Sequence, residues 1–409
     1  MAAELKPAQQ DWIATARALT PLLAAAAPRI EEGRELPGDV LDALHAQKMF
    51  RMLLPRSLDG AELDLASFFQ AICAIAEGDA STAWCMVQNS GCSLSAAYMA
   101  PADARHVFGE ARAVLAWGFP AGPCRAVPVK DGWKVSGTWG FGSGNRHSTW
   151  LGGHCQLTDE SGKPLADAAG EPVDRTMLFP RSSVTIQDDT WNVVGLRGTG
   201  SDTYSVSGLF VPAGQAVVAR ATGRDQVGMD PGGLTEPERR ETGLLYRFTA
   251  TNVYQCGFSA VACGIARAML DSFIAMAKTK TPAGTSVPLR DSHWVQSRIA
   301  LSEARLGAAR AWILQILCEM RDECAASGSI SFGQRVRLRL AATYAIQEAR
   351  EVVETSYADA GASAIFESGP FERRLRDMHA VSQQIQASGV HYQSVGQYYL
   401  GMTPNLRFI

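Results

Sequence analysis

The nine cysteines and seven histidines of this 409-residue chain contain no CxxC pair and no HxxxH pair, so a structural metal site is not expected. An odd number of cysteines without framework spacing points instead to free thiols in a reducing cytosol. There is no Lys/Arg run and no acidic tail. Lys+Arg 38 against Asp+Glu 41 leaves a net charge of −3, without the field that polynucleotide binding requires. No apolar span of about 20 residues is read in the chain, and MAAELKPAQQDW carries acids and amides where a signal peptide would be basic and then apolar. These absences predict a cytoplasmic protein with no nucleic-acid and no membrane partner. No GxSxG elbow supports a serine hydrolase, and no GK[ST] follows a glycine loop to support a P-loop enzyme.

What is present is 46% apolar and 19% charged, enough for a large core. Residues 1–112 show helical spacing (Val40, Leu41, Leu44, Met49), with Asp79-Ala80-Ser81-Thr82 offering an N-cap, and predict about four or five helices. Residues 113–220 change to short β-prone runs: Ala126–Lys130, Trp133–Trp139, Ser148–Gln156, Thr176–Phe179 and Thr203–Val211. Asp131-Gly132 between the first two predicts a type I′ hairpin turn. Residues 221–248 read as a loop or lid. Residues 249–409 return to helical spacing in four long segments, the last from Leu375 to Leu400, which predicts an antiparallel four-helix bundle. The expected fold is mainly α with a central β domain, an order that disfavours alternating βα sheets.

Several clusters carry candidate chemistry. Trp139-Gly140-Phe141-Gly142-Ser143-Gly144-Asn145 is either a glycine-softened strand end or a place where backbone and the Ser143 hydroxyl approach a flat ligand. Trp191 to Ser201, with Gly195, Arg197, Gly198 and Gly200, is either a turn or a set of N–H groups suited to a polar ring edge. Trp117, Trp133, Trp139, Trp150 and Trp191 either fill a core or line a pocket for a planar group. Arg376-Asp377 suggests a buried ion pair between helices. His379 and His391 would stand about 18 Å apart on one straight helix, too far to share a metal.

On Leu36 to Leu44, Ala80-Ser81-Thr82-Ala83-Trp84, Gly132 to Gly137, Gly195-Leu196-Arg197-Gly198-Thr199 with Val211-Pro212, and Arg376-Asp377, the chain resembles the acyl-CoA dehydrogenase superfamily over nearly its whole length. The resemblance implies an N-terminal helical domain, a β-barrel-like middle domain and a C-terminal four-helix bundle, assembled as a homotetramer with flavin at the junction. Within the superfamily it looks like the two-component flavin-dependent monooxygenases. The dehydrogenases place a glutamate base soon after the Arg-Asp pair, whereas here no Asp or Glu follows Asp377.

That branch takes reduced FMN or FAD from a separate NAD(P)H:flavin reductase and forms a C4a-hydroperoxide with O₂. The product is a hydroxylated small aromatic or heteroaromatic, phenol- or indole-like. By resemblance, Trp117, Gly118, Trp139, Ser143, Gly144, Arg197, Gly198 and Thr199 would bind the flavin. Ser143, His391, Gln384 and Cys92 would serve the chemistry. Gln384 stands where aromatic hydroxylases of the branch carry a histidine, and Cys92 where they carry a second; glutamine cannot take a proton at neutral pH, so His391 or His379 would substitute, or the substrate needs no deprotonation. Two rival expectations are an acyl-CoA dehydrogenase with a displaced base, Asp271 or Glu303, and a catalytically silent flavin-fold scaffold.

Overall fold

A computed structural model describes residues 10–167, 170, 172–218 and 239–404. Five helices come first: α1 (Trp12–Gly33), α2 (Gly38–Ala46), α3 (Leu65–Gly78), α4 (Ala80–Ser93) and α5 (Pro101–Phe108). Carboxylates start three of them by accepting otherwise orphaned first-turn N–H groups: Asp11 on α1, Asp64 on α3 and Asp79 on α4. Asp79 has extended backbone (φ −151) and takes the Thr82 N–H at 2.6 Å, so one residue both ends α3 and starts α4. That sharp break fixes the angle between the two helices and hence the direction in which α4 points.

The middle of the chain forms β1 (Leu115–Trp117), β2 (Phe119–Pro120), β3 (Arg125–Val129), β4 (Gly132–Gly140), β5 (Trp150–Leu157), β6 (Asp174–Pro180), β7 (Thr185–Gln187), β8 (Thr203–Pro212) and β9 (Ala216–Val218). Among the described residues these make one sheet in the order β7-β8-β4-β3-β5-β6-β9, with β1 beside β5 and β2 beside β4. Its core holds Val135, Trp139, Leu151, Met177, Phe179 and Tyr204, all buried. The β3–β4 hairpin differs from expectation by one residue. Val129 pairs with Gly132, so the turn is Lys130-Asp131, and Asp131 alone takes positive φ (61°) while Gly132 begins the strand. A type I′ turn needs positive φ at both central residues and is therefore absent at this hairpin.

The last third consists of α6 (Ala250–Ala277), α7 (His293–Ser327), α8 (Phe332–Ala360), α9 (Glu372–Gln383) and α10 (Val390–Tyr399). Helix α6 is opened by a reciprocal Thr249–Asn252 capping box and is packed on both α3 and α8. One apolar core therefore runs from Leu23, Phe68 and Ile72 through Val261, Ile265 and Met269 to Ile313, Leu317 and Val353. Each large side chain so buried contributes about 1.5–3 kcal/mol.

Two expectations fail here. The segment Leu375 to Leu400 is not one helix: Gln384 leaves the helical region (ψ 160) and caps Gln386 N with its own side chain, and a short 3₁₀ turn, Ile385–Ala387, separates α9 from α10. The chain also contains a helix, Ala250–Ala277, long and apolar enough by length and composition to cross a membrane, although two thirds of its most apolar window (67%) is buried against its neighbours. Of the lid expected over 221–248, residues 221–238 lie outside the described residues; Arg240 N donates to Ala97 O at 2.7 Å, which ties Arg240 to the 3₁₀ turn Leu94–Tyr98 that follows α4.

Candidate active site

Three segments converge where the sheet meets the helices: the end of β4, the turn before β8, and the half-buried face of α4. Every residue of α4 is buried except Trp84 and Gln88, four apart and so on one face. The Trp84 indole N–H donates to Ser143 Oγ (3.1 Å), and Ser143 Oγ lies 2.7 Å from Ser201 Oγ, itself 2.7 Å from Thr199 Oγ1. Thr199 Oγ1 in turn donates to the Leu196 carbonyl (2.8 Å). This relay terminates at Leu196, which fixes the direction in which the hydroxyls share their protons and leaves Ser143 held from two sides.

The turn is set by its backbone. Arg197–Thr199 is a single 3₁₀ turn flanked by Leu196 (φ 54) and Gly200 (φ 49), both left-handed, and Gly144 N bonds to Thr199 O (3.1 Å). Beneath it lies α9. A Cβ on Gly195 would stand 2.1 Å from Arg376 O, so only glycine permits the contact, and Asp377 Oδ1 accepts the Leu196 N–H at 2.7 Å. Burial raises Asp377 to about 7, and the Leu196 N–H opposes that rise. Arg376 and Asp377 thus do not pair with each other: Arg376 binds Glu372 (2.7 Å) and Glu31, while Asp377 holds the turn.

The other side of the site is β1 with its continuation. Gln88 Nε2 donates to the Trp117 carbonyl (3.3 Å) and Asn89 Nδ2 to Leu115 O (3.0 Å), while Asn89 Oδ1 meets His147 Nε2 (3.1 Å). Burial pushes His147 down to about 3, so the ring is neutral and donates to Asn89 Oδ1. Gly118 N donates to Tyr204 OH (2.8 Å). Cys92, one turn beyond Gln88, is fully buried, and burial raises its thiol, so it is no thiolate at neutral pH.

The expected flavin residues divide. Ser143, Gly144, Thr199, Trp117 and Gly118 are brought together, and Arg197 lies at the rim beside Glu31 (3.7 Å) with its side chain 40% exposed. Trp139 does not reach the site: its ring is wholly buried in the sheet core against Tyr204, and its N–H is spent on His154 O (3.0 Å). Gly198 is turned into α1, against Ile30. What faces outward at the end of β4 is Phe141, at φ 57 and 66% exposed, edge-on to Trp191, with exposed Phe119 on the paired strand.

Gln384 and His391 form a second cluster at the α9–α10 junction, where His391 Nε2 donates to Ile385 O (2.7 Å). Burial, helped by the Arg339 charge, pushes His391 down to about 4, so it is a neutral ring whose proton fixes the turn. Neither candidate base of the dehydrogenase reading is enclosed. Asp271 and Glu303 both bind Arg267 (2.6 and 2.7 Å), with side chains 62% and 46% exposed.

Trp84, Gln88 and Ser201 belong to the site although no motif in the sequence marks them for it. Trp84 and Gln88 are four apart and so share one helix face, which was the available signal.

A flat cofactor with a polar edge fits this arrangement. The Ser143 hydroxyl, its proton committed to the relay through Ser201 and Thr199, supplies an acceptor, Arg197 supplies a cation at the rim, and Phe119, Phe141 and Trp191 supply apolar surface. Among the described residues no group of three or more His, Cys, Asp or Glu could hold a metal.

Known proteins share sequence and fold with this chain. Residues 256–388 match the family model described as acyl-CoA dehydrogenase, C-terminal domain. Indole-3-acetate monooxygenase of Pseudomonas putida is 29% identical over 376 residues, covering 91% of this chain and 89% of that protein. The flavin-dependent monooxygenase oxygenase subunit HsaA of Rhodococcus jostii is 29% identical over 371 residues, covering 89% of this chain and 91% of that protein. Two solved structures share the fold. XiaF from Streptomyces, in complex with FADH2 and glycerol, has a TM-score of 0.84 at 22% identity, covering 96% of both chains. TdsC from Paenibacillus, with FMN and indole, has a TM-score of 0.79 at 19% identity, covering 97% of this chain and 99% of that one. Over residues 256–388 the chain is similar to the acyl-CoA dehydrogenase C-terminal domain, and over about nine tenths of its length it is similar to flavin-dependent monooxygenases.

Proposed function

We propose that this protein is the oxygenase component of a two-component system that hydroxylates a small aromatic or heteroaromatic compound with O₂ and reduced flavin. The flavin, when bound, supplies two electrons to O₂; one oxygen atom enters a ring C–H to give C–OH, and the other leaves as water. A separate NAD(P)H:flavin reductase restores the reduced flavin. The relatives named as oxygenase subunits support the division of labour, and the two flavin-bearing neighbours support a flavin site without deciding between FMN and FAD.

The observation that carries the reading is the Ser143 hydroxyl, fixed by Trp84 and Ser201 at the meeting of sheet and helices. Accepting from Trp84 and donating to Ser201, it has one lone pair left, which would accept an N–H of the reduced flavin. Thr199 and Gly144 position it through the turn, and Trp117 and Gly118 close the side nearest β1. Excluding water there protects the oxygen transfer from wasteful release of hydrogen peroxide. Gln384 and His391 serve as positioning residues that hold the α9–α10 junction, and Cys92 as an uncharged wall. We also propose a homotetramer, supported by large exposed apolar side chains such as Trp294, Leu301, Phe366 and Leu400, which light scattering of the purified protein would test.

The dehydrogenase alternative has lost its residues to the exposed Arg267 cluster. Reconstitution with NADH, flavin, a reductase and a panel of indoles and phenols tests the reading: hydroxylated product is expected only when reductase and flavin are both present. Ser143→Ala is expected to bind reduced flavin several-fold more weakly in anaerobic titration and to raise the ratio of hydrogen peroxide to product. Wild-type ratios and affinity in that variant would remove Ser143 from the site.

A further inference from the structure

The turn that follows β4 carries Ser143 and Gly144, and β1 carries Leu115 and Trp117. Asn89 on α4, itself buried, links the two: its Nδ2 donates to Leu115 O (3.0 Å), and its Oδ1 meets His147 Nε2 (3.1 Å). The Leu115 carbonyl takes a donor, which fixes the amide with Oδ1 towards the ring, and an amide oxygen can only accept. His147 therefore carries its proton on Nε2.

His147 stands four residues past Ser143 and folds back under it. Its backbone N–H donates to Gly144 O (3.3 Å), as do the Ser148 N–H (3.1 Å) and hydroxyl (2.8 Å), while the Gly144 N–H donates to Thr199 O (3.1 Å). Gly144 has positive φ (78°), and a Cβ on it would lie 2.9 Å from Asn89 Oδ1 and 3.0 Å from the His147 ring. The residue next to Ser143 is thus seated directly on the Asn89–His147 pair. The ring packs in turn against Phe50 (centroids 5.5 Å), which also meets His45 (4.9 Å). Burial favours the neutral form of His147, and His45 and Arg181, the titratable groups acting on it, favour it further.

Resting on the monooxygenase reading, we infer that His147 and Asn89 are positioning residues that set the spacing between Ser143 and the Trp117–Gly118 wall, and so hold the Ser143 acceptor at the flavin. Trp84 fixes where the Ser143 oxygen points; the His147–Asn89 bridge fixes how far it stands from β1. Without the ring N–H, Asn89 Oδ1 is left buried and unpaired, and the amide is free to turn and release Leu115.

His147→Leu and His147→Gln separate the hydrogen bond from the bulk of the ring, since glutamine again presents an N–H and leucine none. In anaerobic titration with reduced FMN or FAD, His147→Leu is expected to bind at least about fivefold more weakly than wild type. In the reconstituted system it should also raise the ratio of hydrogen peroxide to product at saturating flavin. His147→Gln is expected to recover most of both. A purely structural role would lower the urea midpoints of the two variants alike and leave that ratio unchanged. Wild-type affinity and ratio in His147→Leu, or a His147→Gln no better than His147→Leu, overturns the inference. A measurement on the wild-type protein needs no variant to fold: the ¹⁵N-histidine ring in contact with Phe50 should be neutral, protonated on Nε2, and should not titrate between about pH 5 and 8. A proton on Nδ1, or titration in that range, overturns the bridge. Failure of the wild-type protein to bind flavin would count instead against the monooxygenase reading, and the ¹⁵N spectrum would then decide the bridge by itself.

Discussion

Asp377 illustrates how a single carboxyl can serve the site without touching a ligand. Its raised folded value, about 7, lies above the ordinary unfolded value near 4, so the folded protein holds the proton more tightly. Its contribution to stability is therefore full below about pH 4 and is lost as pH rises towards 7, at up to about 1.4 kcal/mol per pH unit within that window. Asp377→Asn removes the titration but keeps an acceptor for the Leu196 N–H. Urea midpoints measured from pH 4.5 to 7.5 should fall less with rising pH in the variant than in wild type; parallel curves would show that Asp377 is ionised throughout. His391 has the opposite sign. Held near 4 against an ordinary value of about 6.5, it contributes stability above pH 6.5 that is lost as pH falls through 4. Asp271→Asn and Glu303→Gln belong to the same scale. These carboxylates pair with Arg267 at the surface, so each change is expected to cost less than about 1 kcal/mol in urea unfolding and to leave hydroxylation unchanged. Loss of activity in either would restore a base role.

Among the elements, the contact between α9 and the Arg197–Thr199 turn is the tightest constraint on the site. Gly195→Ala puts a methyl against the Arg376 carbonyl and must push α9 or the turn aside, at an expected cost of about 2–3 kcal/mol by urea unfolding, with weaker reduced-flavin binding as the relay through Thr199 loosens. A variant as stable as wild type would mean that the two segments part easily. The long elements were legible in the sequence because their apolar residues recur with helical period: Phe258, Val261, Ile265, Met269 and Phe273 are all buried on α6. Breaks were harder to read. Gln384 ends α9 through a local side-chain bond to Gln386 N, which no periodicity reveals, and the turn at Lys130-Asp131 was displaced by one residue because Gly132 pairs with Val129 as strand. Trp139 shows why glycine-rich segments mislead: strand alternation points its ring into the sheet core, and Phe141, two residues on and past the strand end, comes to the surface because of its positive φ (57°).

At the scale of the whole molecule, function depends on two cores meeting. The helical core and the sheet core are separate, and the site lies on their seam, where Ser143 from the sheet bonds Trp84 from the helices. Helix–sheet–helix order and the flavin connection could be inferred from motif order along the chain. The Trp84–Ser143 contact could not, because the two residues are brought together only by folding. Oxygen transfer to an aromatic ring is tested by a single turnover under ¹⁸O₂, with protein, stoichiometric reduced flavin and a panel of indoles and phenols. One ¹⁸O atom per hydroxylated product molecule is predicted. Unlabelled product, or stoichiometric hydrogen peroxide with no product across the panel, would contradict it.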